Sequence, residues 1–129
     1  MNAKTYHWHK LAETVEELNW QDNQLCEVVV DGKTICLSLH QGQVHACAHK
    51  CPHASGRMVA GWQDALGNLV CPLHRYRFDP RTGRNSSGEG YYLKTYPVEV
   101  RSDGVYIGVE AGGSLVFFDK KFKRSGEKM

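Results

Sequence analysis

The chain has 129 residues, 41% hydrophobic and 23% charged, which is enough apolar content for one compact core and too little length for two independent domains. Sixteen basic and fourteen acidic side chains leave a formal charge of +2, so the overall balance does not argue for a nucleic-acid or membrane-surface binder, and any charge argument must be local. No apolar run approaches the roughly 18 residues of a spanning helix, and Met1-Asn2-Ala3-Lys4-Thr5-Tyr6-His7 has no signal-peptide core, which predicts a soluble cytoplasmic protein.

Tyr6 to Leu11 reads as an opening strand, with His7 and His9 as solvent-facing histidines. Ala12 to Asn23 is polar and weakly periodic, predicting a loop with one turn. Leu25 to Val30 and Lys33 to Leu39 flank Asp31-Gly32, the signature of a two-residue hairpin, with Ile35, Leu37 and Leu39 on one face and Cys26 and Cys36 as small buried thiols. His40-Gln41-Gly42-Gln43 makes a second turn, and Val44 to Cys47 a third strand. Further on, Arg75 to Phe78 reads as a short strand, Asp79 to Gly83 as a turn and Asn85 to Gly90 as a polar surface loop. Leu93 to Val100 and Val105 to Val109 form a hairpin about Ser102-Asp103-Gly104, and Ser114 to Phe118 could be a last strand. From Asp119 onward the chain is a basic tail without core positions, solvated or docked on a partner. Seven or eight short strands with frequent turns predict an all-β sandwich or partly open barrel.

Between the third strand and Arg75 stand Cys51-Pro52-His53 and, after the seventeen residues Ala54 to Val70, Cys71-Pro72-Leu73-His74. Each short arm offers one thiolate and one imidazole. The five cysteines are an odd set in a chain without a secretion signal, which favours reduced thiols or metal ligands over a disulfide framework. Soft sulfur with borderline nitrogen suits zinc or an iron–sulfur cluster, whereas magnesium and calcium want oxygen. Zinc fingers pair like ligands on each arm; here every arm mixes cysteine and histidine, a pattern that suits a binuclear cluster with two thiolates on one iron and two imidazoles on the other.

The CxH and CxxH arms, with Gly61, Phe78-Asp79, Thr82-Gly83, Tyr96-Pro97-Val98 and Asp103-Gly104-Val105-Tyr106, resemble the Rieske family over roughly residues 6 to 110. The resemblance implies an antiparallel β-sandwich or partly open barrel in a single domain, with a small cluster-binding subdomain of two loops at about 47–84. It implies that Cys51 and Cys71 bind one iron of a 2Fe-2S cluster and His53 and His74 the other. Two ferric ions, two sulfides and two thiolates sum to zero charge, so an electron is accepted more readily than by an all-thiolate cluster, and the imidazoles can titrate with it.

Two departures from the high-potential branch of the family stand out. That branch joins its loops by a disulfide at the positions of Gly56 and Leu73, and sets Ser and Tyr hydroxyls two and four residues beyond the second histidine, where Tyr76 and Phe78 stand here. A disulfide-free centre at the low end of the family's span, about −150 to +300 mV, is the expectation. Met58 stands where leucine is frequent and keeps the apolar cover. Cys47 has no counterpart among the ligands, and His40, His45 and His49 read as surface histidines.

No GxGxxG follows a strand, and the chain has no room for a second, catalytic iron domain. The resemblance therefore implies a monomeric, soluble one-electron carrier, a ferredoxin between a flavin reductase and a terminal oxygenase, and not an enzyme. The small subunit of a nitrite-reductase-like complex and a redox-sensing module are the alternatives. From Lys50 to Arg84, six cations (Lys50, Arg57, Arg75, Arg77, Arg81, Arg84) face two acids, Asp64 and Asp79, a local excess of four that would steer an acidic partner if it gathers on one face.

Overall fold

The computed structural model describes residues 5–52, 56–86 and 90–111. His53, the expected strand at Ser114 to Phe118 and the basic tail lie outside them. The described residues form ten strands: β1 (Tyr6–Ala12), β2 (Leu25–Val30), β3 (Lys33–His40), β4 (Gln43–Ala48), β5 (Trp62–Gln63), β6 (Leu69–Val70), β7 (Arg77–Phe78), β8 (Thr95–Tyr96), β9 (Val98–Arg101) and β10 (Gly104–Glu110). They lie in three open antiparallel sheets, ordered β1-β10-β9, β2-β3-β4-β8 and β5-β6-β7. The strand count exceeds the expectation because β5 and β6 have two residues each, too short for alternation to be read from sequence, and because the stretch from Leu93 to Val100 is divided.

The β2-β3-β4 meander follows from its turns. Asp31 and Gly32 have φ of 55° and 79°, and Gln41 and Gly42 of 50° and 80°, so both are two-residue turns of the primed type whose twist matches the strands. Strict register then sorts the side chains, because successive residues point to opposite faces. Ile35, Leu37 and Ala46 join Cys26, Val30, Val105, Ile107 and Val109 in one core. Cys36 and Cys47, directly opposite each other on β3 and β4, enter the other, with Leu25, Met58, Val59, Leu69, Phe78 and Leu93. The β1-β10-β9 sheet covers one face of the meander, and the segment carrying the Cys/His arms covers the other. Hence β3 is buried on both faces from Ile35 to Ser38, where a one-faced strand was expected. Each fully buried aliphatic side chain contributes about 2 kcal/mol.

Three further differences have local causes. The expected strand from Leu93 to Val100 is two strands of different sheets: Pro97 between them has no N–H for a ladder, and its carbonyl accepts from Gly108 at 2.9 Å. The expected strand from Arg75 begins only at Arg77, because Arg75 is left-handed. Asn85, expected on the surface, is buried and bridges to Phe78.

Candidate metal centre

Both arms are built the same way. The N–H of Cys51 donates to the carbonyl of Gly56 at 2.8 Å, and that of Cys71 to the carbonyl of Tyr76 at 2.9 Å. Each cysteine is thus tied to the residue five places on, and in the second arm His74 lies within the loop so closed. The first loop rests on the pairing of Lys50 with Arg57 and on Met58 N–H donating to His49 at 2.8 Å. The second is the turn of the β6–β7 hairpin, with Val70 opposite Arg77.

The loops meet at Gly56. A Cβ there would lie 3.0 Å from Leu73 Cγ and 3.1 Å from Cys71 Sγ, so glycine is what lets the arms close on the second thiol. The two positions read from the family pattern as bridge sites are therefore true neighbours. Cys51 and Cys71 are 2% and 0% exposed within the core, whereas His74 is exposed and Leu73 is 54% exposed beside it. The two thiols are buried and the His74 imidazole is exposed. Among the described residues, which exclude His53, no three His, Cys, Asp or Glu side chains gather as a site for a lone metal ion. A binuclear unit with two donors at each iron asks for no such gathering, and this donor set and its glycine cradle fit one.

The other cysteines are of a different kind. The Cys36 contact, followed by burial, holds the Cys47 thiol well above its ordinary range, and burial pushes Cys26 up to about 11. Thiols held protonated in strands are packing groups. The histidine readings need correction: His7 is exposed, but His9, His40, His45 and His49 are half-buried. Burial first, then Arg81, lowers the His45 pKa.

Sequence reasoning missed the clamp that seats this segment on the sheet. Asn23 Nδ2 donates to the carbonyls of Val59 and Gly61 at 3.0 and 2.9 Å, and Gln21 Nε2 to Val59 at 2.9 Å. Gln63 Nε2 returns a bond to the Leu39 carbonyl at 3.2 Å. Asp64 caps the following turn by accepting from the N–H groups of Leu66 and Asn68 and meets Arg77 at 3.4 Å. Only this last group had a local signal, an Asp followed by Gly-Asn three residues on.

Two cysteine-closed arms on open antiparallel sheets, their thiols buried and His74 exposed, define the class. The model of the Rieske [2Fe-2S] domain matches residues 7–97. The chain belongs to that family, and a Rieske-type 2Fe-2S cluster is its cofactor. It is 36% identical over 81 residues to the naphthalene 1,2-dioxygenase system ferredoxin component of Pseudomonas aeruginosa, covering 62% of this chain and 77% of that protein. In fold it resembles the ferredoxin complexed with reduced oxygenase in carbazole 1,9a-dioxygenase, at 24% identity and TM-score 0.65, over 78% of this chain and 92% of the other. It also resembles a putative NADH-dependent nitrite reductase small subunit from Mycobacterium tuberculosis, at 20% identity and TM-score 0.70, over 81% and 96%.

Proposed function

We propose that Cys51 and Cys71 hold one iron of the cluster and His53 and His74 the other, within a single domain whose cluster-binding part spans about 47–84. On this reading the chain is a cytoplasmic one-electron carrier, passing electrons from a reductase to a terminal oxygenase, and not itself an enzyme. The cluster supplies a reversible one-electron couple, neutral when oxidised. The chain's own residues do the rest. The core around Cys51 and Cys71, with Met58, Val59, Leu69 and Phe78, keeps water from the sulfur side, and exposed His74 offers the short route to a partner. That asymmetry of burial carries the proposal. The described residues contain no helix long and apolar enough to cross a membrane.

Purified protein is expected to be coloured and, after dithionite reduction, to give the low-temperature EPR signal of a Rieske centre. Cys71→Ser and His74→Ala should lose both, while Cys47→Ser keeps both at a cost of about 1 kcal/mol for its buried hydroxyl. A colourless, EPR-silent, zinc-loaded chain would overturn the reading. The likeness to a nitrite reductase small subunit supports a fixed-subunit alternative. Gel filtration separates the two, since a carrier elutes as a monomer and binds only transiently.

Phe78 adds a quantitative expectation. Its ring is fully buried against the cysteine core and has no donor to give, so nothing at that position stabilises the reduced sulfurs. The potential should fall near the lower end of the family's span, about −150 mV. Phe78→Tyr should raise it by about 40 mV, the one-electron equivalent of a hydrogen bond of roughly 1 kcal/mol. Protein-film voltammetry giving a wild-type value well above zero would contradict this.

A further inference from the structure

The cations near the arms do not act as one block. Arg57 meets Glu27 at 2.8 Å, Arg77 meets Asp64 at 3.4 Å and Arg81 meets Asp79 at 3.1 Å. Glu27, outside the stretch from Lys50 to Arg84, joins the acids of that neighbourhood. Among the described residues, Lys50, Arg75 and Arg84 have no ion pair. Of these, Arg75 directly follows the exposed His74 and is itself exposed.

Its backbone is the unusual one. The four residues from Pro72 to Arg75 turn the chain between Cys71 and Tyr76, and the Arg75 N–H donates to the Cys71 carbonyl at 3.0 Å. The last place in that turn is left-handed, with φ of 61° at Arg75. Glycine takes this conformation freely and asparagine with little cost, whereas a long side chain is disfavoured there. The side chain gives nothing back to the loop: among the described residues the guanidinium makes neither a hydrogen bond nor an ion pair. A residue disfavoured where it stands and unused within its own chain points to use outside it.

We propose that Arg75 is the residue by which the protein recognises its redox partner, an acidic protein surface that places a carboxylate beside His74. The inference rests on the electron-carrier reading and adds to it a residue and the charge of the partner. A planar guanidinium matches a carboxylate with two parallel hydrogen bonds. Exposed Leu73, packed on the Gly56 loop, supplies the apolar contact such a charge would border. A small apolar centre with a charged rim suits a contact that must form fast and release.

The test is stopped-flow oxidation of the reduced, cluster-loaded protein by two one-electron acceptors, a small acidic b-type cytochrome and basic cytochrome c. Arg75→Gln should slow electron transfer to the acidic acceptor about fivefold at low salt, flatten its salt dependence and leave the basic acceptor no slower. Arg75→Lys, which keeps the charge but not the two-bond fit, should fall between the wild type and Arg75→Gln. Arg75→Gly should be slowed like Arg75→Gln while melting a few degrees higher. An unchanged rate in Arg75→Gln, with cluster absorption intact, would overturn this proposal alone. An Arg75→Gly protein that melts lower than the wild type would also overturn it, by giving the side chain a structural role. A chain that takes up no cluster overturns the carrier reading and this inference with it.

Discussion

Replacing Gly61 by alanine is expected to destabilise the protein by about 3 kcal/mol and to lower its bound iron and sulfide sharply. Gly61 caps the one-turn helix Met58–Ala60 with φ of −88°, so the demand at this position is for space. An added Cβ would run into the carbonyl oxygen of Val70 and sit 3.2 Å from Pro72 Cδ. Val70 is the last residue of β6, and the next residue is Cys71. No flexible side chain stands there to move aside, so the backbone that presents the second thiol must shift. Gly61 is also held from behind, since its carbonyl accepts from Asn23 at 2.9 Å. Urea denaturation with iron and acid-labile sulfide analysis checks this. Gly90, whose added Cβ would meet nothing within 4 Å among the described residues, is the control, and alanine there should change stability by less than about 0.5 kcal/mol. Full iron content in the Gly61→Ala protein would show that the arms tolerate the displacement.

The same close approach marks what was legible in the chain and what was not. Asp31-Gly32 and Gln41-Gly42 announced their turns because two adjacent residues fix the turn type. The arms were legible because their chemistry sits within three or four residues. Gly61 was visible only as part of a family pattern; its physical reason is the Val70 carbonyl nine residues away, which no local rule supplies. Asn23 and Gln63 likewise clamp backbone some 24 to 40 residues distant. Pro97 could have divided the strand from Leu93 to Val100 on chemistry alone, since a proline inside a run demotes it. Arg75 could not have been found, because an arginine gives no sign of a left-handed backbone.

The sorting of the five cysteines is a case where topology, more than composition, decides. Cys26, Cys36 and Cys47 sit in strands whose backbone is committed to the ladder. Cys51 and Cys71 stand just outside strands, and their N–H groups close loops instead. Cys36, Cys47, Cys51 and Cys71 all belong to one buried core, so burial does not separate the proposed ligands from the packing groups. What separates them is that a loop can aim a sulfur at its neighbour loop, while a strand fixes it to one face of a sheet.

Cysteines installed together at Gly56 and Leu73 are expected to form a disulfide that stabilises the double variant by about 3 kcal/mol over its own reduced form, the amount associated with closing a loop of roughly 15 residues. The geometry is already in place. A Cβ on residue 56 would lie 3.0 Å from the present Leu73 Cγ, and about 3 Å is the separation of one Cβ from the far sulfur across an unstrained bridge, given an S–S bond of about 2.04 Å. The Cβ atoms themselves would then be no more than about 4.5 Å apart, within the range that disulfides span. Leu73 is half exposed, so an oxidant reaches the pair without unfolding. The single variant Gly56→Cys should do the opposite: its Cβ would press on Leu73 and stand 3.1 Å from Cys71 Sγ, costing about 1–3 kcal/mol with no bond to offset it. Mass spectrometry of the oxidised double variant should show the loss of two hydrogens, and its urea midpoint should fall on treatment with dithiothreitol. A double variant that stays reduced in oxidised glutathione would mean that the arms stand farther apart in solution than Gly56 and Leu73 do in this structure.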